Sequence, residues 1–289
     1  MGVQARIVLY APDSTMARSA AAAAFDRIAH LDGVMSDYRS DSELMQLCAR
    51  AGQGPIRVSE DLFIVLDAAI DLARLSDGAF DVTVGPLVRL WRKARRAGSL
   101  PSSRDLQDAQ ARVGWELVTL DDRERTVALA LPGMQLDLGG IAKGYAADEA
   151  VAAAREFGVG RILVEFGGDI VVGDPPPGSE GWEITVGDVG DVGDADGLGG
   201  ATIVLSNSAV SSSADTEQFV EIDGKRYSHV VDPRTGLGLT DRLAVTVVTS
   251  RGITSDALAT TLSILGPEPG LELIERAYPS VRAYVRYLE

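Results

Sequence analysis

Residues 217–231 read EQFVEIDGKRYSHVV, two β-rich runs joined through Asp223-Gly224. An Asp-Gly pair between such runs is a strong short-range signal for an antiparallel hairpin, because both residues tolerate positive φ. Residues 161–173, RILVEFGGDIVVG, repeat the pattern around Gly167-Gly168. Further strands are expected at 3–10, 115–120, 126–131, 135–138, 182–187, 201–206 and 242–249. Strands that follow one another through hairpin-type links favour an α+β fold built on antiparallel sheet over a doubly wound parallel one.

Helices are expected between and after these strands. Apolar residues recur at helical spacing over 14–32, with Ser14 as the expected cap, and most clearly over 60–75 (EDLFIVLDAAIDLARL). Ser40 and Glu43 read as a capping box ahead of a short helix at 43–50. Gly78 reads as a helix stop, and Pro86 as a break in whatever follows. A short helix starts near Ser103, another spans 141–157, and two at 255–265 and 270–277 finish the chain. No internal repeat or linker is evident, so a single domain over residues 1–289 is expected. It carries a Gly-rich acidic insert at about 187–200, which reads as a solvated loop, with a calcium loop disfavoured by its aspartate spacing.

Composition narrows the chemistry. The net charge of −15 argues against nucleic acid and against anionic membrane surfaces as partners. One cysteine, Cys48, excludes a disulfide framework and a multi-thiolate metal site; two histidines, His30 and His229, exclude a His-rich zinc site. No stretch has the length and apolarity of a membrane span, and no signal peptide is evident. A cytoplasmic location is the expectation as the sequence stands, with a periplasmic or exported one if a leader has been removed.

Four stretches carry oxygen, nitrogen or aromatic groups suited to a site. Gln135–Gly144, QLDLGGIAKG, ends a β-rich run in Asp137, follows it with two glycines and puts Lys143 in the first turn of a helix. That is either a plain strand-to-helix turn or a place where backbone N–H groups meet a phosphate. In TSDALATT, Asp256 and Thr260 stand four apart on one helical face. They make a hard-oxygen pair suited to Mg²⁺, or else an acid favoured by the helix dipole beside an ordinary threonine. SHVVDPRTG places His229, a general-base candidate, ahead of a turn. GAFDVTVGPLVRLW offers Phe80 and Trp91 as flat groups for a pocket or for the core.

Taken in order, these blocks resemble one family, the ApbE-like FAD:protein FMN transferases. The resemblance runs from Met35-Ser36-Asp37-Tyr38 through GAFDVTVGPLVRLW, LDLGGIAKGYAAD, ILVEFGGD and HVVDPRTG to SDALATTLSILG. It implies a T-fold-like α+β domain with helices packed on antiparallel sheets. It implies FAD as substrate, Mg²⁺ as cofactor and an acceptor protein carrying a target Thr or Ser. On the matching positions, Met35, Ala79, Phe80, Asp81, Asp137, Lys143, His229 and Val230 would contact the flavin nucleotide. Asp256 and Thr260 would ligate magnesium, with the carbonyls of Gly140 and Ala259 completing the shell. Lys143, His229 and Asp256 would carry catalysis, His229 either as base or as a nucleotide contact.

The chain departs from the family pattern at Ser212-Ser213-Ala214-Asp215, where glycine usually precedes the aspartate, and at Glu217-Gln218. Two rivals therefore stand beside transfer: hydrolysis of FAD to FMN and AMP, and a flavin carrier without turnover. Residues 196–202, DGLGGAT, resemble the acceptor sequence itself, which makes Thr202 either a self-modification site or simply the start of a strand.

Overall fold

The computed structural model describes residues 3–186, 201–214 and 219–288. A six-stranded sheet is its centre. The strands lie in the order Ala5–Tyr10, Arg161–Phe166, Asp169–Val172, Ser208–Ala214, Leu243–Thr249 and Arg282–Tyr287. Every neighbouring pair is antiparallel. The hairpin at Gly167-Gly168 forms as expected, closing Phe166 onto Asp169, with Gly167 at φ 61°. The hairpin at Asp223-Gly224 forms too, pairing Phe219–Ile222 with Lys225–Ser228 in a separate two-stranded ribbon. The acidic insert, residues 187–200, lies outside the described residues; its flanking strands Trp182–Val186 and Ala201–Leu205 pair with each other. Thr202 sits exposed on the second of these.

Three helices cover the sheet and enclose the main core. They are Ser14–Met35, Ala142–Glu156 and Gly252–Leu265. The last two touch backbone to backbone: a Cβ on Gly144 would stand 2.0 Å from the carbonyl oxygen of Gly252. Only glycine allows that approach. Helix Gly252–Leu265 lies over strand Ser208–Ala214, where Ser211 donates to the Ser255 hydroxyl at 2.9 Å and Ser263 to that of Ser213 at 3.1 Å. Small hydroxyl side chains therefore let a helix sit close to the sheet without stranding polar groups.

Several local expectations need correction. Residues 135–138 form no strand; Asp137 N–H donates to the Val82 carbonyl at 2.8 Å, which ties the segment to the turn before Pro86 instead. Pro86 begins a helix rather than breaking one: Gly85–Ala97 carries it in the first turn, where no intrahelical N–H bond is needed. Asp13, not Ser14, caps the long first helix. Ser42, not Ser40, caps Glu43–Ala49, and Glu43 turns its carboxylate away to accept from Ser59 N–H at 2.6 Å. The helix expected from 255 begins at Gly252, where the Asp148 carboxylate of another helix accepts from the N–H groups of Gly252 and Ile253. The chain ends on strand Arg282–Tyr287 after helix Pro267–Ala277, not on a helix. Residues 115–117 are a short 3₁₀ turn ahead of strand Val118–Asp121.

Candidate active site

A cleft of about 380 Å³ opens where the start of helix Ala142–Glu156 and the middle turns of helix Gly252–Leu265 meet the sheet. Its most ordered feature is a knot of charge. Lys143 Nζ lies 2.8 Å from Asp169 Oδ2, 3.0 Å from the Gly139 carbonyl, and 3.2 and 3.4 Å from the two oxygens of Asp256. Asp256 also accepts from Gly144 N–H at 3.0 Å. Both carboxylates are buried. Burial, reinforced by the negative charge of Asp169, pushes the Asp256 carboxyl up to about 7 against the pull of Lys143. Burial alone would depress the Lys143 ammonium; the charges of Asp256 and Asp169 outweigh it and raise it instead.

One turn beyond Asp256, Thr260 faces the glycine corner. A Cβ on Gly140 would stand 2.7 Å from Thr260 Oγ1. The corner thus offers a carboxylate, a hydroxyl and backbone carbonyls. That set suits a hard divalent cation and not a soft one. Among the described residues no group of three or more His, Cys, Asp or Glu forms a ready ligand cage. A cation here would complete its shell with water and, in the loaded site, with oxygens of its substrate, as magnesium does beside phosphates.

A second charged group lies along the cleft wall. Arg92 donates to Asp37 at 2.5 Å and to Asp137 at 3.3 Å, and its guanidinium sits 4.6 Å from the centre of the Tyr38 ring. Burial, then the charge of Asp37, raises the Asp137 carboxyl, while Gly139 N–H and Arg92 work against that rise. Asp137 also accepts from Gly139 N–H at 2.8 Å and so shapes the Gly-Gly turn.

Of the residues expected at a nucleotide site, the cleft brings together Met35, Phe80, Asp81, Asp137, Gly140, Lys143, His229, Val230, Asp256, Ala259 and Thr260. Ala79 does not line it and is fully buried behind Phe80. Asp81 spends its carboxylate locally, accepting from Thr83 N–H at 2.8 Å and Thr83 Oγ1 at 2.7 Å. Trp91 is core: its indole donates to the Gly236 carbonyl at 2.8 Å and packs on Tyr227, which anchors the Asp232–Gly236 turn just beyond His229. Sequence reading missed Asp169 and Arg92 as site residues. The signal for Asp169 was present, since a carboxylate directly after Gly167-Gly168 is placed by the hairpin; Arg92 gave none beyond belonging to a basic helix.

Fold and cleft together define an α+β enzyme whose site joins a glycine-lined helix start to a buried acid and a half-buried hydroxyl. Residues 1–285 match the ApbE family. The chain belongs to that family and is an ApbE-like flavin transferase. It is 34% identical over 258 residues to the FAD:protein FMN transferase of Haemophilus influenzae, covering 87% of this chain and 74% of the relative. It is 33% identical over 272 residues to that of Klebsiella pneumoniae, covering 93% and 82%. The crystal structure of the ApbE protein from Thermotoga maritima superposes with a TM-score of 0.86 at 30% identity, over 99% of this chain and 91% of that one. The apo Pseudomonas stutzeri flavinyl transferase ApbE gives 0.82 at 29%, over 99% and 92%.

Proposed function

We propose that this protein transfers the FMN half of FAD to a Thr or Ser hydroxyl of an acceptor protein and releases AMP, with the whole chain working as one domain around this cleft. The observation that carries the reading is the corner formed by Gly140, Lys143, Asp256 and Thr260 at the mouth of a cleft with apolar walls at Met35 and Phe80. A dinucleotide needs both parts: apolar walls for its rings and, for its diphosphate, a corner that a divalent cation would make positive.

In this reaction the acceptor oxygen attacks the FMN-side phosphorus, and the bond from that phosphorus to the AMP oxygen breaks. Magnesium, held by Asp256 and Thr260 with the Gly140 and Ala259 carbonyls, would supply charge neutralisation on the diphosphate when bound. Lys143 adds a second positive charge beside the leaving group. Met35, Phe80 and Val230 hold the flavin ring. Asp137 sets the Gly-Gly turn toward the phosphates, and Asp81 keeps the loop behind Phe80 in place, with Ala79 as its support. His229 faces the same cleft and either takes the proton of the incoming hydroxyl or holds the nucleotide.

The test is one reaction mixture: protein, FAD, Mg²⁺ and a peptide bearing a candidate threonine, with products identified by mass. AMP and FMN-peptide are expected. AMP with free FMN would make the protein a hydrolase, and unchanged FAD would make it a carrier. Asp256→Ala is expected to abolish AMP release with an unaltered far-UV spectrum; normal release would remove Asp256 from the metal. His229→Ala that still binds FAD but transfers slowly assigns the proton role, and loss of FAD binding assigns the holding role.

A further inference from the structure

Lys143 is shared between two carboxylates, and the nearer is the one with no place in the scheme above. Asp169 Oδ2 lies 2.8 Å from the ammonium, against 3.2 Å for the nearer oxygen of Asp256. Asp169 is also firmly placed. It opens its strand directly after Gly167-Gly168, and the Gly168 carbonyl accepts from Ser212 N–H at 2.8 Å. A Cβ on Gly168 would stand 2.4 Å from the Ser212 carbonyl oxygen, so the turn lies pressed on the neighbouring strand. The Asp169 side chain, 8% exposed, thus offers the ammonium a fixed partner.

Asp256 faces competing demands. Its carboxylate accepts from Gly144 N–H and meets the Lys143 ammonium with both oxygens, at 3.2 and 3.4 Å. An ammonium settled fully on Asp256 would compete with a divalent cation for the same oxygens and repel it at short range. We propose that Asp169 is a positioning residue that draws the Lys143 ammonium away from Asp256, so that the Asp256 carboxylate can ligate the divalent cation. The inference rests on the reading of this corner as a cation site. Such outer partners commonly tune a metal site through the groups that touch it.

Removing Asp169 takes away the ammonium's nearest partner and lets it close onto Asp256. The experiment is a Mn²⁺ titration of the full chain without FAD, with free Mn²⁺ followed by electron paramagnetic resonance. Wild type, Asp169→Asn, Lys143→Met and the double variant are compared, each checked for folding by circular dichroism. Asp169→Asn is expected to weaken Mn²⁺ binding at least tenfold, and adding Lys143→Met is expected to recover most of the loss. A double variant that stays weaker than Lys143→Met by the full factor would show that Asp169 acts only as a remote charge and would overturn the proposal. Unchanged binding by Asp169→Asn would overturn it too. Should the Asn variant fail to fold, Asp169→Ser is read by the same outcomes. Absence of Mn²⁺ binding by wild type would instead sink the cation reading of the corner itself.

Discussion

At the scale of single residues, the corner depends on what is missing from Gly140 as much as on what Thr260 supplies. The hydroxyl of Thr260 occupies the space a Cβ at position 140 would need, at 2.7 Å. Real Cβ atoms do not approach that closely, so an alanine there must move the threonine or the turn. Gly140→Ala is therefore expected to lower FMN transfer at least tenfold with little change in Tm, because the displaced group lies at the cleft wall and not in the core. Steady-state assays and a thermal melt read both quantities. Undiminished transfer would take Thr260 out of the working site. The same scale shows why Asp137 and Asp81 differ though both lie in recognised blocks. Asp137 meets Arg92 and turns the Gly-Gly segment, whereas Asp81 is consumed by Thr83.

At the scale of elements, the helix carrying Lys143 is fixed by a cross-link on its far side. Arg27 of the first helix donates to Asp61 at 2.5 Å and also to Glu149, and Tyr145 donates to Asp61 at 2.6 Å. Three helices, Ser14–Met35, Glu60–Leu75 and Ala142–Glu156, meet in that network. Burial alone would raise the Asp61 carboxyl, yet hydrogen bonds from Arg27 and Tyr145 and the charge of Arg27 hold it below its ordinary value of 3.8. A depressed carboxyl stabilises the fold fully above its unfolded value and loses that contribution as pH falls through the folded one. Arg27→Met is expected to cost about 2 kcal/mol at pH 7, between an exposed pair and a fully buried one. The gap between variant and wild type should narrow as pH falls below about 4 and be lost only beneath the depressed wild-type value, where Asp61 is protonated in both. Urea melts at the two pH values measure it; a gap independent of pH would mean that the arginine acts by packing alone.

For the whole molecule, the cleft is assembled from segments spread along nearly the full chain, from Met35 to Thr260. Ligands that bridge those segments must stabilise the fold by mass action. At a hundredfold excess over Kd the gain is about 2.7 kcal/mol, or roughly 4–5 °C in Tm for a chain of 289 residues. FAD with Mg²⁺ is expected to raise Tm by that order, more than either alone, and Asp256→Ala is expected to lose the joint increment. Differential scanning fluorimetry read at the protein's tryptophans checks it. Equal shifts with and without the metal would separate the nucleotide site from the cation site. The cleft itself sets five aspartates against Lys143, Arg92 and Arg95, so an anionic dinucleotide there would need the added charge of a divalent cation.

The sequence by itself determined what is written in short range. Helix Glu60–Leu75 has the bounds its apolar period gave, because the Ser59 cap and the amphipathic spacing act within a few residues. The Gly167-Gly168 hairpin and the Asp256/Thr260 face follow for the same reason. Only the tertiary structure decided the rest. Strand Ser208–Ala214, poor in bulky β-formers, takes its place in the sheet from ladders on both sides and from serines matched to a covering helix. The Lys143–Asp256 pair joins residues 113 positions apart, and it exists because Gly144 and Gly252 let two helices touch. No local period encodes such a meeting; it is fixed when close packing leaves one arrangement in which both glycine backbones fit.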